Sequence, residues 1–347
     1  MTRSLERLWA YAARALPRWP HGARAPLLVG VLGLSCMVWA AIATRAPGAR
    51  AQDGLVFPGG ARTHAGLLTQ LADAPITSVR PVGTTSVVLK ARSGELALGA
   101  FRPAATTHPR GHAHEIAAYR IAVELGLDNV PPTIGRRVPV NELQRRLEST
   151  HEDRWPGLRE RLITDRDGVT EGSMTYWIPE MRELGLDQGE GLREWSGRLR
   201  QGSRIESSAY PRSLLRDLSN CVLFDYLIGN TDRFSGANLQ GLPDRSRVFI
   251  RDHNLAFFVD LSPPRRERIS TALQRSERFS RGTVERLLQL TPSSLAQALA
   301  RDPLHSRATP LLQPAQVEAV FARRATLLSY VGALIDQYGR DAVLVFD

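Results

Sequence analysis

The sequence predicts an α+β protein, with short strands in the first part of the folded chain and helices in the second. Strand-like segments joined by turn-forming residues lie between residues 76 and 101, and helical apolar spacing begins at residue 214. An uncharged apolar run near the amino terminus predicts one transmembrane helix before the folded part. The chain of 347 residues is 43% hydrophobic, which suffices for the core of one bilobal domain or of two small domains.

The apolar run covers residues 25–43 and is close to the ~20 residues that span a bilayer as a helix. Five arginines precede it and two follow, so residues 1–24 are predicted to be a cytosolic basic tail and the rest of the chain to lie outside the cytosol. A secretory signal is the competing interpretation, because the chain near Ala51 resembles a small-x-small cleavage site. A buried core helix is a third interpretation.

The net charge of +10 is concentrated at the amino terminus. Residues 1–50 hold seven arginines and one acid, which gives +6, and the other +4 is spread over residues 51–347. No basic patch alternates with stacking aromatic residues, so nucleic acid is not a predicted partner. The three histidines at positions 108, 112 and 114 cluster without the further ligands that a zinc site needs, and are interpreted as surface loop residues.

The first half of the chain is predicted to form a linker and then a strand hairpin. Residues 44–75 read as a linker with a short helix near 67–72. Strands are predicted over 76–82, 87–89 and 96–101, and the connection Gly83-Thr84-Thr85 joins the first two. Backbone amides of such a small-residue connection can cover phosphates, although an ordinary hairpin turn explains it equally well.

A helix is predicted from His112 to Leu125, because Gly126 then ends it and the following Pro131-Pro132 forces an extended chain. Residues 171–179 are strand-like. Beyond residue 258 the pattern becomes helical, and its last apolar stripe predicts a long helix that ends at Gly339.

The most informative stretch is residues 214–258. A buried helix over 214–228 stops at Gly229-Asn230 and is followed by a polar loop with Asp232, a hairpin, and Asp252. Phosphoryl transfer needs such parts, since one carboxylate orients the acceptor hydroxyl while an Asn and a second carboxylate hold a metal on the nucleotide phosphates. The alternative is a buried helix followed by acids that merely cap and turn.

Three patches resemble one known family. They are FDYLIGNTDR at 224–233, EIAAY at 115–119 and VPPTIGR at 130–136. These patches resemble the four-jointed and secretory-pathway kinases of the protein-kinase superfamily and, more distantly, the HipA-type and spore-coat kinases. The resemblance covers about residues 76–340. It implies a bilobal kinase-like fold with a β-rich N-lobe over 76–175 and a mostly helical C-lobe over 176–340.

The resemblance also implies roles for individual residues. Asp232 would be the catalytic base, Asn238 and Asp252 the metal ligands, and Glu115 the partner of the cation that grips the nucleotide phosphates. A solvated acid in the first turn of a helix is the alternative for Glu115. ATP, with Mg²⁺ or Mn²⁺, would be the cofactor, and a hydroxyl of a protein or glycan the acceptor. The segment 171–179 would link the lobes beside the adenine.

Two departures from the family pattern affect the expected activity. The strand lysine expected just after Phe101 is Arg102, and the spacing from Asp232 to Asn238 is one residue longer than usual. Lys90, the single lysine of the chain, resembles an earlier family lysine that reaches the phosphates; a solvated strand lysine is its alternative. An ATP-dependent kinase is therefore expected, with a pseudokinase scaffold or a kinase of small molecules or sugars as the alternatives.

Overall fold

The computed structural model of the protein describes residues 54–60, 62–83, 85–205, 207–234 and 238–347. The predicted span over 25–43, the tail before it and the cleavage site near Ala51 lie outside these residues. Within the described part of the chain, no helix combines the length and apolar character that a membrane crossing requires.

A two-stranded ribbon and a helix precede the main sheet in the described part of the chain. Strands β1 (Val56–Phe57) and β2 (Arg62–Thr63) pair antiparallel, and helix α1 covers His64–Asp73. The side chain at the end of β2 accepts a hydrogen bond from the backbone N–H of Gly66, which satisfies one free donor of the first helical turn.

This opening segment corrects the predicted linker. Phe57 and Leu67 are fully buried and pack with Ile178 and Phe249. The described part of the segment, from residue 54 to residue 75, therefore belongs to the folded body. The few buried apolar side chains are set among Gly, Pro and Ala residues, and that composition led to the prediction of a linker.

A five-stranded antiparallel sheet, in the spatial order β3-β4-β5-β7-β6, forms the first half of the fold. Its strands are β3 (Ser78–Pro81), β4 (Leu89–Ser93), β5 (Leu96–Pro103), β6 (Thr133–Pro139) and β7 (Val169–Tyr176). The predicted hairpin is present, and its turn at Gly94 has the positive φ of 58° that glycine adopts without strain. One face of the sheet covers a core that includes Leu89 and Phe101, so the alternate residues face the other way.

Helix α2 (Gly111–Glu124) lies against this sheet and ends where predicted, because Gly126 takes a φ of 70°. The connection from β6 to β7 contains α3 (Val140–Arg146), a 3₁₀ turn (Ser149–Arg154) and α4 (Trp155–Arg161). These short helices occupy a polar, Gly-broken region whose sequence gave no clear periodicity.

Helices dominate the second half of the fold. They are α5 (Gly189–Arg198), α6 (Arg212–Ile228), α7 (Pro263–Leu273), α8 (Arg281–Gln289), α9 (Pro292–Ala300), α10 (Pro314–Tyr338) and α11 (Arg340–Val343). Helix α6 contacts α7 and α10, and 14 of its 17 residues are buried, so it is enclosed on nearly all sides. A small antiparallel sheet of β8 (Arg182–Glu183), β9 (Gln240–Gly241) and β10 (Val248–Phe249) contains the predicted hairpin. The predicted α+β class is confirmed.

Candidate active site

The loop that follows helix α6 places Asp232. Gly229 ends the helix with a φ of 69°, as the left-handed C-cap requires. The next residue, Asn230, donates from Nδ2 to Oδ1 of Asp225 at 3.0 Å and accepts the backbone N–H of Asp232 at 3.2 Å. Because Asp225 and Asn230 are buried, this short network fixes the backbone from which the Asp232 side chain projects.

A buried ion pair beneath this loop holds the rest of the site together. Nε of Arg233 lies 2.8 Å from Oδ2 of Asp225, and Nη2 lies 3.1 Å from Oδ1, in the two-point geometry that guanidinium favours. Burial disfavours the charge, but the Asp225 carboxylate outweighs it and raises the pKa of Arg233. Arg233 also donates to the backbone oxygens of Asn238 and Arg251, so it joins the Asp232 loop to the segment just before Asp252.

Asn238 closes the loop onto Asp232. Its Nδ2 donates to the backbone oxygen of Asp232 at 3.0 Å and lies 3.4 Å from Oδ2 of the same residue. The longer spacing between the two residues therefore does not prevent their contact. Residues 235–237, which supply the extra length, lie outside the described part of the chain.

Arg102 is the centre of a second cluster. Its Nε lies 3.4 Å from Oε1 of Glu115, its Nη2 lies 3.0 Å from Oδ1 of Asp252, and its Nη1 donates to Oγ of Ser86 at 3.0 Å. Strand β5, helix α2, the β3–β4 connection and the segment after β10 thus meet at one guanidinium. The structure brings together three predicted site residues, Arg102, Glu115 and Asp252, in this cluster.

Glu115 is buried, which excludes the solvated first-turn acid considered for it. Its Oε1 accepts the backbone N–H of His253 at 3.0 Å, and its Oε2 lies 3.3 Å from Nδ1 of the same residue. Burial alone raises the pKa of Glu115, but the hydrogen bonds from His253 and the charge of Arg102 outweigh it and lower that pKa to about 2. Glu115 is therefore an anion at neutral pH.

Asp252 has a φ of 63°, in the left-handed region that most side chains avoid. Asp is one of the few residues that tolerate this conformation. The preceding residue, Arg251, is held through its backbone oxygen by Arg233. The conformation of Asp252 is therefore imposed by anchored neighbours on either side, since His253 is bonded to Glu115.

Lys90 lies on the same face of the sheet as Arg102. It pairs across the strands with Ala100, two residues before Arg102 on β5. The Lys90 ammonium lies 4.0 Å from the centroid of the Trp177 ring, a cation–π contact. Burial, followed by the positive charges of Arg80 and Arg92, lowers the pKa of Lys90. The structure thus places Lys90 on the sheet face of Arg102 and in contact with Trp177, which follows β7.

Two of the three clustered histidines, His112 and His114, differ from their prediction as surface loop residues, whereas His108 lies in the loop before α2. His112 and His114 lie in the first turn of α2; His112 is buried, and His114 lies 3.2 Å through Nδ1 from the backbone oxygen of Asn254. Because the helix packs against the sheet, the ring of His112 is buried and that of His114 is half-buried. Among the described residues, no group of three or more His, Cys, Asp or Glu side chains converges on one point.

The predicted ligand set fits a hard divalent cation. Asp252 offers a partly exposed carboxylate and Asn238 a side-chain amide, both of which carry the oxygen atoms that Mg²⁺ and Mn²⁺ accept. Few protein ligands suffice, because Mg²⁺ in such sites takes several of its ligands from water and from substrate phosphates. Arg233 links the Asp232–Asn238 loop to the segment that precedes Asp252, and Asp252 contacts Arg102.

No protein-family model matches the chain. Human glycosaminoglycan xylosylkinase is 28% identical over 266 residues, which cover 68% of this chain and 63% of that protein. The same enzyme of Danio rerio is 29% identical over 194 residues, covering 52% of this chain and 46% of that protein. The chain thus matches less than two thirds of the length of these curated relatives.

Solved structures give a similar result for the fold. A Golgi casein kinase crystallised with Mn/ADP bound aligns with a TM-score of 0.59 and 20% identity over 81% of this chain and 78% of that one. A hydra Fam20 structure with sugar aligns with a TM-score of 0.60 and 16% identity over 86% and 97% of the two chains. The predicted resemblance to secretory-pathway atypical kinases is confirmed, and the fold is kinase-like, with a β-sheet lobe and a helical part.

Arg233, Asp225, Ser86 and His253 are candidate site residues that the sequence did not single out. Arg233 and Asp225 lie within the conspicuous patch at 224–233, but only their burial reveals the pair. Ser86 is next to the connection expected to cover phosphates. The role of His253 depends on its contact with Glu115, 138 positions away, and no local sequence pattern predicts it.

Proposed function

We propose that the protein is an ATP-dependent kinase that transfers the γ-phosphoryl group to a hydroxyl of a protein or glycan, with Mg²⁺ or Mn²⁺ as cofactor. The observation that carries this proposal is the meeting of Arg102, Glu115 and Asp252, while Asp232 and Asn238 are held by one buried pair. Catalysis of this reaction is mainly positioning and electrostatic stabilisation, and rigidly held charges supply both.

In this mechanism the chain holds and orients the reacting groups. The carboxylate of Asp232 orients the acceptor hydroxyl and receives its proton as the hydroxyl oxygen bonds to the γ-phosphorus and the bond to the ADP oxygen breaks. Arg102, aligned by Glu115, contacts the phosphates, and Ser86 holds the β3–β4 connection next to it. A divalent cation held by Asp252 and Asn238 would neutralise charge on the phosphates. Arg233 links the loop of Asp232 and Asn238 to the segment that precedes Asp252.

The acceptor class is inferred from the relatives. Similarity to glycosaminoglycan xylosylkinase favours a hydroxyl on a glycan, and a protein hydroxyl is the second possibility. A free sugar or other small molecule is a third. We further infer that residues 25–43 anchor the protein, with the kinase-like part outside the cytosol; release after cleavage near Ala51 is the alternative.

One observation favours a second function, that of a pseudokinase scaffold. The Arg102 guanidinium is only 3.0 Å from the carboxylate that would bind the cation, so it already supplies a positive charge there. In such a site, arginine replaces the expected lysine and also supplies part of the positive charge that the metal would supply. Nucleotide would then bind weakly and be poorly positioned.

The test separates binding from transfer. Titration calorimetry with ADP and Mn²⁺ should show binding by the wild type, its loss in Asp252→Ala, and its retention in Asp232→Ala. Phosphoryl transfer to a xyloside or a protein acceptor should be absent in both variants. Asp252→Ala loses the bound nucleotide, whereas Asp232→Ala keeps the nucleotide and loses only the base that acts on the acceptor hydroxyl. Asp260→Ala is the matched control, since Asp260 is an exposed acid in the segment just after the site.

Binding without any transfer by the wild type would favour the scaffold. Transfer that survives Asp232→Ala, or ADP binding that is unaffected by Asp252→Ala, would contradict the assigned roles.

A further inference from the structure

Helix α2 carries Glu115, and one distant segment holds this helix along its length. The segment comprises residues 301–316, which lie between α9 and the first turn of α10, and is called the α2 clamp below. At the beginning of the helix, Arg110 donates to the backbone oxygens of Pro310 and Leu311, the latter at 3.0 Å. At its end, Glu124 pairs with the first residue of the clamp at 3.2 Å.

The last residue of the clamp contacts the first turn of α2. Nε2 of Gln316 lies 3.1 Å from Nε2 of His114 and donates to the backbone oxygen of Phe257 at 3.0 Å. His114 in turn contacts the backbone oxygen of Asn254 through Nδ1. The clamp therefore joins α2 to the segment that begins at the proposed metal ligand.

A buried ion pair between the clamp and α2 lies at the middle of the helix. Oδ2 of Asp302 is 3.0 Å from Nη2 of Arg120 and accepts the backbone N–H of Gly135 at 3.1 Å, while Oδ1 accepts the N–H of Leu304 at 3.1 Å. The side chain of Asp302 is fully buried, and that of Arg120 is 10% exposed. A Cβ at position 135 would come within 2.5 Å of Oδ1, so strand β6 also packs directly on this carboxylate.

We propose that Asp302 is a positioning residue of the nucleotide site, an inference that rests on the proposed function. Through Arg120, Asp302 holds helix α2 at the height where Glu115 meets both Arg102 and the backbone N–H of His253. Arg120 is five residues after Glu115, about 7.5 Å along the helix axis at 1.5 Å per residue. A displacement of the helix at Arg120 is therefore transmitted to Glu115 as a shift of a rigid body.

The geometry favours positioning over general stability. The carboxylate of Asp302 joins the clamp to two other elements, to α2 through Arg120 and to β6 through Gly135, and its contact with Leu304 lies within the clamp. The consequence is a helix α2 that is held in the arrangement in which Glu115 contacts Arg102 and His253.

The test uses two variants and a control. Asp302→Asn preserves shape but leaves Arg120 as an unpaired buried charge, which strongly destabilises proteins. Asp302→Asn combined with Arg120→Met removes both charges, and such replacements are often neutral for stability. Glu277→Gln is the matched control, because Glu277 also pairs with an arginine, Arg200 at 2.8 Å, and accepts a backbone N–H, from Gln201 at 2.7 Å, away from α2.

The readouts are hydrogen exchange of residues 111–124 without ligand, thermal unfolding, and calorimetric titration with ADP and Mn²⁺. The double variant should unfold near the wild-type temperature yet exchange faster in α2 and bind ADP about tenfold more weakly, with transfer reduced up to about 100-fold, the scale for misplacement by about 1 Å. Glu277→Gln should leave the exchange of α2 and the ADP affinity unchanged, whatever the loss of its own ion pair does to thermal unfolding.

A double variant with wild-type exchange in α2 and wild-type ADP affinity would overturn the proposal, since Asp302 would then be merely structural. If the single variant does not fold, the double variant still decides. If the wild type itself fails to bind ADP, the proposed function is contradicted, while the exchange of α2 in the ligand-free double variant still decides on Asp302.

Discussion

Arg102 and Asp252 are 150 positions apart in the chain, and their side chains form an ion pair of 3.0 Å. The same guanidinium contacts Glu115 at 3.4 Å and Ser86 at 3.0 Å. A planar group with several fixed N–H donors can satisfy three partners in different directions, whereas an ammonium is a compact point charge. The site is therefore built around arginine at the position where a lysine was expected.

This relationship predicts the outcome of Arg102→Lys. The lysine restores the residue type of the resembled family but cannot span Glu115, Asp252 and Ser86 together. We expect ADP affinity in the presence of Mn²⁺ to fall about tenfold, which corresponds to about 1.4 kcal/mol. Calorimetry on wild type and variant is the measurement, and Arg145→Lys, at an exposed position of α3, is the control for a change of the same kind away from the site.

An Arg102→Lys variant that binds ADP more tightly than the wild type would argue that the guanidinium obstructs the site. That result would favour the pseudokinase interpretation for the natural chain.

The buried imidazole of His112 predicts a loss of stability in mild acid. Burial, together with the charges of Arg110 and His114, lowers the pKa of His112 to about 4, against 6.5 for a free histidine. Between these values the unfolded chain binds a proton that the folded chain does not, so the free energy of unfolding falls as pH falls. From pH 7 to pH 5 this residue should cost about 2 kcal/mol.

His112→Gln removes this titration. The free energy of unfolding, measured by denaturant titration, should therefore fall by about 2 kcal/mol less between pH 7 and pH 5 in the variant than in the wild type. His151→Gln is the control, because His151 is partly exposed and its ring contacts only Thr150 among the described residues. His64 and His114 also have lowered pKa values and leave a residual slope. Equal slopes for His112→Gln and wild type would refute the assignment.

The arginine-rich start and the apolar run over 25–43 predict the topology of the chain. With the amino terminus in the cytosol, a tag placed after Asp347 should be degraded when protease is added to spheroplasts. The control is a tag at the amino terminus, which should be protected until the membrane is broken. Protection of the tag at Asp347 under the same conditions would reverse the orientation, and recovery of a chain that begins near residue 52 would indicate cleavage.

Local chemistry explains which parts of the fold the sequence predicts. Helices α2 and α6 end as expected because Gly126 and Gly229 adopt a left-handed backbone directly after the last buried turn. The clustering of Arg102, Glu115 and Asp252 was expected from family resemblance rather than from spacing. The residues that support them were not predicted, because each depends on a partner far away in sequence.

Asp302 illustrates this limit. In the sequence it is one acid in a polar connection between helices, and its burial follows only once α2, β6 and the clamp are packed together. That Phe57 belongs to the folded body was missed for a similar reason, because its partners Ile178 and Phe249 lie more than 100 positions away.

Lys90 is the remaining candidate for a phosphate contact. It is the single lysine of the chain, whose lysines and arginines together number 45. It lies on the same sheet face as Arg102. Its ammonium rests on the Trp177 ring, where a cation is attracted by the ring face but gains no hydrogen bond from it. Because exposed cation–π contacts contribute only about 0.5–1 kcal/mol, a nucleotide phosphate would outcompete the ring for this charge.

We therefore predict that Lys90→Arg weakens ADP binding by about 1–3 kcal/mol, the range for loss of a hydrogen bond to a charged group. Arginine also stacks on tryptophan, so the variant retains both the charge and the Trp177 contact. Any loss of affinity then reports the geometry of the phosphate contact. Calorimetry with ADP and Mn²⁺ provides the measurement, and Arg145→Lys, at an exposed position of α3, controls for exchange of the two cations.

Trp177→Leu completes the argument, because it removes the resting place of the ammonium without touching Lys90 itself. If Lys90 contacts the nucleotide, the Trp177→Leu variant should bind ADP at least as tightly as the wild type. Adding Lys90→Arg to this variant should reduce its ADP affinity by the same factor as in the wild type. Equal ADP affinity of wild type and Lys90→Arg would instead assign Lys90 to the Trp177 contact alone, and Arg102 would then be the only one of the two residues that serves the phosphates.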